Sequence, residues 1–207
     1  MKQERSAADY LPERRSLKSL REAASHCRGC DLYKAATQTV FGEGKARAKV
    51  MFIGEQPGDS EDRDGHPFVG PAGKLLRKAM LEAGIEPADT YITNAVKHFK
   101  YIARGKRRIH QTPRVIELRA CRPWLDAEIK QVKPDVIVAL GATAARSLFG
   151  SDFRLTMHRG NVFTSMEVAP NVLATVHPSS ILRAPDDQTR RREMTSFVAD
   201  LKRIAAI

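Results

Sequence analysis

No apolar run in the 207-residue chain approaches the roughly 18–20 residues that cross a bilayer, which argues against a membrane protein. Aromatic residues make up only 6%, with a single Trp, and the three cysteines are too few for the disulfide framework of a small secreted domain. Internal repeats at a solenoid period and low-complexity tracts are absent. With 42% hydrophobic and 29% charged residues, and 13 Gly and 11 Pro spread along the chain, disorder, collagen and coiled coil are excluded. The stretch Met1 to Arg15 is charged, has no apolar signal core behind it, and reads as a loose N-terminal arm of a cytoplasmic protein. The length suits one domain, 1–207, with a sizeable core.

What is present is positive charge. Lys and Arg number 35 against 24 Asp and Glu, leaving +11 and an isoelectric point near 9.9, which suggests a polyanionic partner. The excess is uneven. Residues 100–122 carry Lys100, Arg104, Lys106, Arg107, Arg108, Arg114, Arg119 and Arg122 against Glu117 alone, a net +7. Gly105 and Pro113 interrupt the stretch, so a long basic loop reaching for phosphates is expected there.

Apolar segments alternate with helical patterns. Strands are expected at Lys49–Gly54, Tyr91–Val96, Asp135–Gly141 and Val172–Val176, with an edge strand at Asn161–Phe163. Helices are expected from near Ser16, over Leu75 to Ala83, from about Pro113 to Gln131, over Ala142 to Phe149, and from about Asp187 to Ala205. Apolar strands alternating with helices predict a three-layer α/β/α fold around a central four-stranded, mainly parallel sheet. Ligands of such sheets bind beyond the carboxyl ends of the strands. The loops that begin at Glu55, Asn94, Gly141 and His177 therefore converge on one crevice.

Cys27 and Cys30 have the spacing that lets two thiolates reach one metal from a single turn, and Cys121 is a distant third candidate. His98 offers a fourth ligand. On spacing alone, this set suits zinc and a cubane iron–sulfur cluster equally well.

Five ordered blocks carry a resemblance: Gly54-Glu55-Gln56-Pro57-Gly58, Pro67-Phe68-Val69-Gly70-Pro71-Ala72-Gly73, Thr93-Asn94-Ala95-Val96-Lys97, Cys121-Arg122-Pro123-Trp124-Leu125 and His177-Pro178-Ser179-Ser180. In these the chain closely resembles the family-four iron–sulfur uracil-DNA glycosylases. Within their superfamily, Gln56 and the insertion Lys106-Arg107-Arg108-Ile109-His110 resemble the UdgX subgroup in particular. The match runs from about Cys27 to Arg183. Where the family-four pattern has a cysteine after the second strand, this chain has His98, as that subgroup does.

The resemblance implies a uracil-DNA glycosylase-like fold and a structural four-iron four-sulfur cluster held by Cys27, Cys30, His98 and Cys121. The implied substrate is uracil-containing DNA, single-stranded preferred, and free uracil is the product. Phe68, flanked by Pro67 and Gly70 in a loop and so poorly placed to be core, would stack on the extruded base, Asn94 would read its O4 and N3–H edge, and Gly54 and Gly58 would border it. His177 would donate to O2 of the leaving uracil as charge develops there. Glu55 would stabilise the sugar cation or polarise a water. Gln56 and Asp59 would organise the loops. Ser179, Ser180, Arg183, Lys106 and Arg107 suit the DNA backbone and the space the base vacates.

His110 would capture the sugar cation at C1′ and leave a protein–DNA crosslink, as in the resembling subgroup. That chemistry needs the neutral imidazole, which an ordinary histidine supplies at pH 7. Arg108, two residues earlier, would disfavour its protonation and hold the loop against Glu55 or a phosphate. The protein is expected to be a monomer associated with a bacterial nucleoid. Competing readings are an ordinary multiple-turnover uracil glycosylase and a non-catalytic, metal-stabilised nucleic-acid-binding module.

Overall fold

The computed structural model describes residues 5–205 and 207; residues 1–4, part of the expected arm, lie outside the described residues. In chain order the elements are α1 (Leu17–Ala24), β1 (Glu43–Gly44), β2 (Val50–Gly54), α2 (Asp59–Asp64), α3 (Pro71–Glu82), β3 (Thr90–Asn94), β4 (Tyr101–Arg104), β5 (Arg107–His110), α4 (Val115–Val132), β6 (Val136–Leu140), α5 (Ala142–Phe149), α6 (Leu155–His158), β7 (Val162–Met166), β8 (Ala169–Thr175), α7 (Pro178–Leu182) and α8 (Asp187–Ala205).

The apolar strands are covered on both faces, which is why they read as continuous runs rather than alternations. Phe52, Val138, Leu140 and Leu173 pack beneath Leu76 and Met80 of α3 and Phe197 and Leu201 of α8. Their neighbours Met51, Ile53, Ile137, Ala139 and Val172 face Leu125 and Ile129 of α4 and Ala144 and Ala145 of α5 on the other side. Three layers result, with helices on both faces of the sheet.

The sheet runs β1-β3-β2-β6-β8-β7. Its inner four strands are parallel, in the order β3-β2-β6-β8, so their carboxyl ends lie along one edge. The expected four-stranded core is extended by two antiparallel edge strands. β7 lengthens the expected edge strand to Met166. β1, only two residues long, has too short a pattern to be read. The chain leaves β2 toward β3 and leaves β6 toward β8, so the crevice between β2 and β6 is the switch point where such sheets bind ligands.

Two expectations are corrected. The basic stretch is not a loop: β4 and β5 form a separate antiparallel hairpin joined by Gly105-Lys106. Gly105 has φ +56°, the positive-φ first turn position that glycine favours in two-residue hairpins. The N-terminal segment is also not wholly loose. Ala7–Tyr10 form a 3₁₀ turn capped by the Ser6 hydroxyl, and Ala7 is fully buried beside Leu20, Cys27 and Trp124. A lone small apolar residue in a charged stretch carries no periodicity, so this anchor was invisible in the pattern.

Candidate active site

Glu55 follows β2 at the switch point. Its Oε2 accepts a hydrogen bond from the Thr143 hydroxyl at the start of α5, and its Oε1 lies 3.3 Å from His110 Nε2. One carboxylate therefore joins the first loop, the loop after β6 and the hairpin. Gln56 is buried and works on the hairpin's base. Its amide donates to the carbonyls of Lys100 (3.2 Å) and Gln111 (3.1 Å), while its oxygen accepts the Lys100 N–H (3.1 Å).

The hairpin is held further along by Arg108. Its guanidinium meets the carboxylates of Asp59 and, at 2.6 Å, of fully buried Asp62, donates to the Thr37 hydroxyl, and lies over the rings of Phe99 and Tyr101. The expected contact of Arg108 with Glu55 is replaced by this acidic pair on α2, three residues apart and so on one helix face. Burial would raise the Asp59 carboxyl, but hydrogen bonds from Arg63 and Arg108 hold it below the usual carboxylate range. Side chains alternate across the ribbon. Tyr101, Arg108 and His110 turn inward, while Ile102 and Ile109 are exposed, as are Arg104, Lys106 and Arg107, which make no ion pair among the described residues. The basic stretch therefore divides, since Arg119 and Arg122 belong to α4 and Arg114 stands at its N-cap.

The second half of the site lies at the ends of β3 and β8. Asn94 is 2% exposed, and its Oδ1 is buried with no partner among the described residues. A buried acceptor left open is costly unless a ligand completes it. Gly54 makes the space: a Cβ there would collide with Asn94 Oδ1 and come within 2.7 Å of the Phe68 ring. Phe68 was expected clear of the core and is instead buried, packed with Leu76 and Ile181, its ring 5.8 Å from that of His177. Its φ of +56° is a strained backbone for a residue with a side chain, and this turn brings the ring inward. Glu61 holds that loop by accepting the N–H groups of Gly58 (3.0 Å) and Gly70 (2.8 Å), so the Gly58 amide is already engaged within the protein.

His177 caps α7. Its Nδ1 accepts the Ser179 N–H at 3.1 Å, and the Ser179 hydroxyl lies 2.8 Å away. A nitrogen that accepts from a backbone amide is unprotonated, so the neutral ring carries its proton on Nε2. Burial, with smaller contributions from Arg183 and His110, lowers its pKa to about 4. His177 is therefore a neutral donor at physiological pH. Ser180 bonds the His177 carbonyl, and Arg183 is exposed at the end of α7.

Cys27 and Cys121 share one buried cluster with Ala7, Phe41 and Trp124, and the partly buried Cys30 packs against it. Cys27 Sγ accepts the Gly29 N–H (3.5 Å) and Cys121 Sγ the Lys97 N–H (3.3 Å). Burial raises the Cys30 thiol and pushes Cys121 up to about 12. Three sulfurs in an apolar setting, two of them with amide donors, suit a thiolate-bound metal group. His98 fits less directly, since its Nε2 is paired with the Thr39 hydroxyl at 2.9 Å. Among the described residues no group of three or more His, Cys, Asp or Glu side chains stands arranged as a metal site.

Sequence reasoning missed Thr143, Glu61 and Asp62, along with the buried Lys97–Glu128 pair behind Asn94. Thr143 was findable, because it follows the switch-point strand by three residues. The buried carboxylates carry no pattern of their own. Together, the open amide acceptor, the ring of Phe68, the Nε2–H donor and the carboxylate–imidazole pair can hold a flat heterocycle by its edge and face, stabilise its departure as an anion, and place a carboxylate and a nucleophilic nitrogen nearby.

A family model described as the uracil DNA glycosylase superfamily matches residues 41–202. The type-4 uracil-DNA glycosylase of Thermotoga maritima is 41% identical over 172 residues, 82% of this chain and 85% of that protein. That of Sulfurisphaera tokodaii is 37% identical over 178 residues, 83% and 78% of the two chains. The type-5 uracil-DNA glycosylase of Pyrobaculum aerophilum is 30% identical over 181 residues, 79% and 74%. The chain belongs to the uracil DNA glycosylase superfamily. No helix among the described residues is long and apolar enough to cross a membrane.

Proposed function

We propose that this protein is a uracil-DNA glycosylase of the UdgX type, which excises uracil from DNA, preferably single-stranded, and is then captured on its own product through His110. The observation that carries the reading is the 3.3 Å approach of His110 Nε2 to Glu55 Oε1 at the switch-point crevice. The flipped uracil lies against Phe68 with its O4 and N3–H edge on the Asn94 amide. The bond between C1′ and N1 breaks, its electron pair leaves with the base, and the His177 Nε2–H donates to uracil O2, a contribution of about 3 kcal/mol for a well-placed donor. Glu55 faces the resulting sugar cation. Glu55 takes the Nε2 proton of His110, and the electron pair this frees on Nε2 forms the bond to C1′, leaving a neutral imidazole on the sugar. Uracil takes up a proton from solvent and is released.

Cys27, Cys30, Cys121 and His98 are proposed to hold a four-iron four-sulfur cluster whose part is structural, tying the N-terminal segment and α4 to the body. Iron and acid-labile sulfide in the purified protein test this, and zinc in their place refutes it. The reading carries with it a one-domain monomer acting in the cytoplasm on nucleoid DNA.

Denaturing electrophoresis after mixing with uracil-containing single-stranded DNA tests the capture. The expected result is a one-to-one adduct stable to heat and detergent. In His110→Ala the adduct vanishes while uracil release continues, because water enters the vacated position. An adduct undiminished in His110→Ala moves the nucleophile elsewhere, and turnover without an adduct in the wild type leaves an ordinary glycosylase.

A further inference from the structure

Behind the base-reading strand lies an ion pair that the mechanism above does not use. Lys97 and Glu128 are 1% and 0% exposed, and their charged groups meet directly. The Lys97 ammonium has three N–H donors, and each has one acceptor: the Glu128 carboxylate, the Thr93 hydroxyl at 2.6 Å and the Asn94 carbonyl at 2.7 Å. Glu128 in turn accepts from Gly42 N–H (3.0 Å), the Tyr91 hydroxyl (2.9 Å) and the Thr93 hydroxyl (3.0 Å). Burial and the nearby Glu128 charge hold the Tyr91 hydroxyl firmly protonated, so toward the Glu128 carboxylate it is the donor. The side chain of Lys97 therefore folds back over the three residues before it and fixes the peptide plane from which the Asn94 side chain springs. Ala95 and Val96 donate to the carbonyls of Gly54 (2.9 Å) and Glu55 (3.0 Å), which ties the same turn to the catalytic loop.

We propose that Lys97 is the positioning residue of the base-reading amide: its ammonium, held by Glu128, anchors the Asn94 carbonyl and so sets where the Asn94 amide meets the uracil edge. A purely structural ion pair does not need its cation bonded to the backbone of the reading residue. Many buried pairs are replaceable by apolar residues of similar volume without loss of stability. Here a replacement that restores packing still leaves the Asn94 carbonyl without its donor. The inference rests on the reading of Asn94 as the base-edge contact.

Single-turnover excision from a uracil-containing single-stranded oligonucleotide, together with thermal unfolding, tests it on the full chain. Lys97→Met/Glu128→Gln, whose amide oxygen still accepts from Gly42, Tyr91 and Thr93, is expected to unfold near the wild-type temperature yet excise about a hundredfold more slowly, the scale of a ~1 Å misplacement. Its affinity for the same strand with thymine in place of uracil should be unchanged. Glu128→Gln keeps an acceptor for Lys97 and should show the opposite, a lower unfolding temperature with excision within about threefold of wild type, on the scale of a hydrogen bond retained without its full charge. If excision follows unfolding temperature through both variants, the pair is structural and the proposal falls. Asn94→Ala separates the two ideas. Normal excision by Asn94→Ala overturns the base-reading assignment itself, whereas loss there with normal excision by the double variant overturns only the role of Lys97.

Discussion

Asn94 sits 2% exposed at the end of a strand bonded to neighbours on both sides, whereas His110, its side chain half exposed, sits on a two-stranded hairpin outside the main sheet. The first position follows from the core: β2, β3 and β8 run parallel, so their ends must share an edge. The second depends on side chains, chiefly Gln56 at the hairpin's base and Arg108 against α2. The proposed reading of the base and the proposed capture of the sugar thus rest on separate scaffolds. Damage to one should leave much of the other intact.

Gly54→Ala attacks the core-built half. Its new Cβ meets Asn94 Oδ1 and the Phe68 ring, so excision is expected to fall by about a thousandfold, as when a preorganised donor set is displaced. Binding of uracil-free DNA should persist, and its loss in this variant would show that the two halves are not independent. Arg108→Ala attacks the hairpin. It strips buried Asp62 of its cation and should destabilise the protein by about 3 kcal/mol in urea unfolding. Adduct yield should fall further than uracil release, since Glu55, Asn94 and His177 do not depend on Arg108 for their contacts.

Acidification probes the core-built half from another side. The folded protein holds His177 near 4 against an ordinary 6.5, so on acidification the unfolded chain takes up that proton first. The contribution to stability is full above pH 6.5 and lost progressively as pH falls to 4. His177→Asn keeps an acceptor for the Ser179 N–H and removes the titration. Unfolding curves across that interval should therefore be flatter for the variant, and parallel curves would refute the assignment. The smallest effect is expected on the hairpin's outer face. Lys106→Ala/Arg107→Ala should lower the salt dependence of single-strand binding by roughly 0.7 for each phosphate no longer neutralised, with excision at saturating DNA unaffected. An unchanged slope would make that face bare of DNA.

How far the sequence could be read follows the same division. The parallel strands and the helices from Leu17, Ala142 and Asp187 were legible because continuous apolar runs and helical periodicity report burial directly. The strand ends, and with them Glu55, Asn94 and His177, came along with that pattern. The hairpin did not, because four-residue strands rich in Arg, one of them reading Arg107-Arg108-Ile109-His110, have the composition of a solvated loop. Asp62, Glu61 and Glu128 were hidden for another reason. A buried carboxylate is defined by the donors that reach it, and apart from the Gly58 N–H, three residues before Glu61, those donors lie from 9 to 86 residues away in the chain. Phe68 was misjudged because its neighbours Pro67 and Gly70 signal a turn, whereas its positive φ, which turns the ring inward, has no sequence mark.

The hairpin's alternation makes the position of the imidazole a matter of parity. Inserting one residue between Arg108 and His110, with the strand pairing preserved up to Arg108, carries the histidine to the outer face opposite Lys100 and leaves Glu55 opposite a different side chain. Inserting two returns a histidine to the inner face, one step further from the turn. Nothing in the six-stranded sheet registers either event. The carboxylate–imidazole pair is therefore set by the register of one four-residue strand rather than by the main sheet.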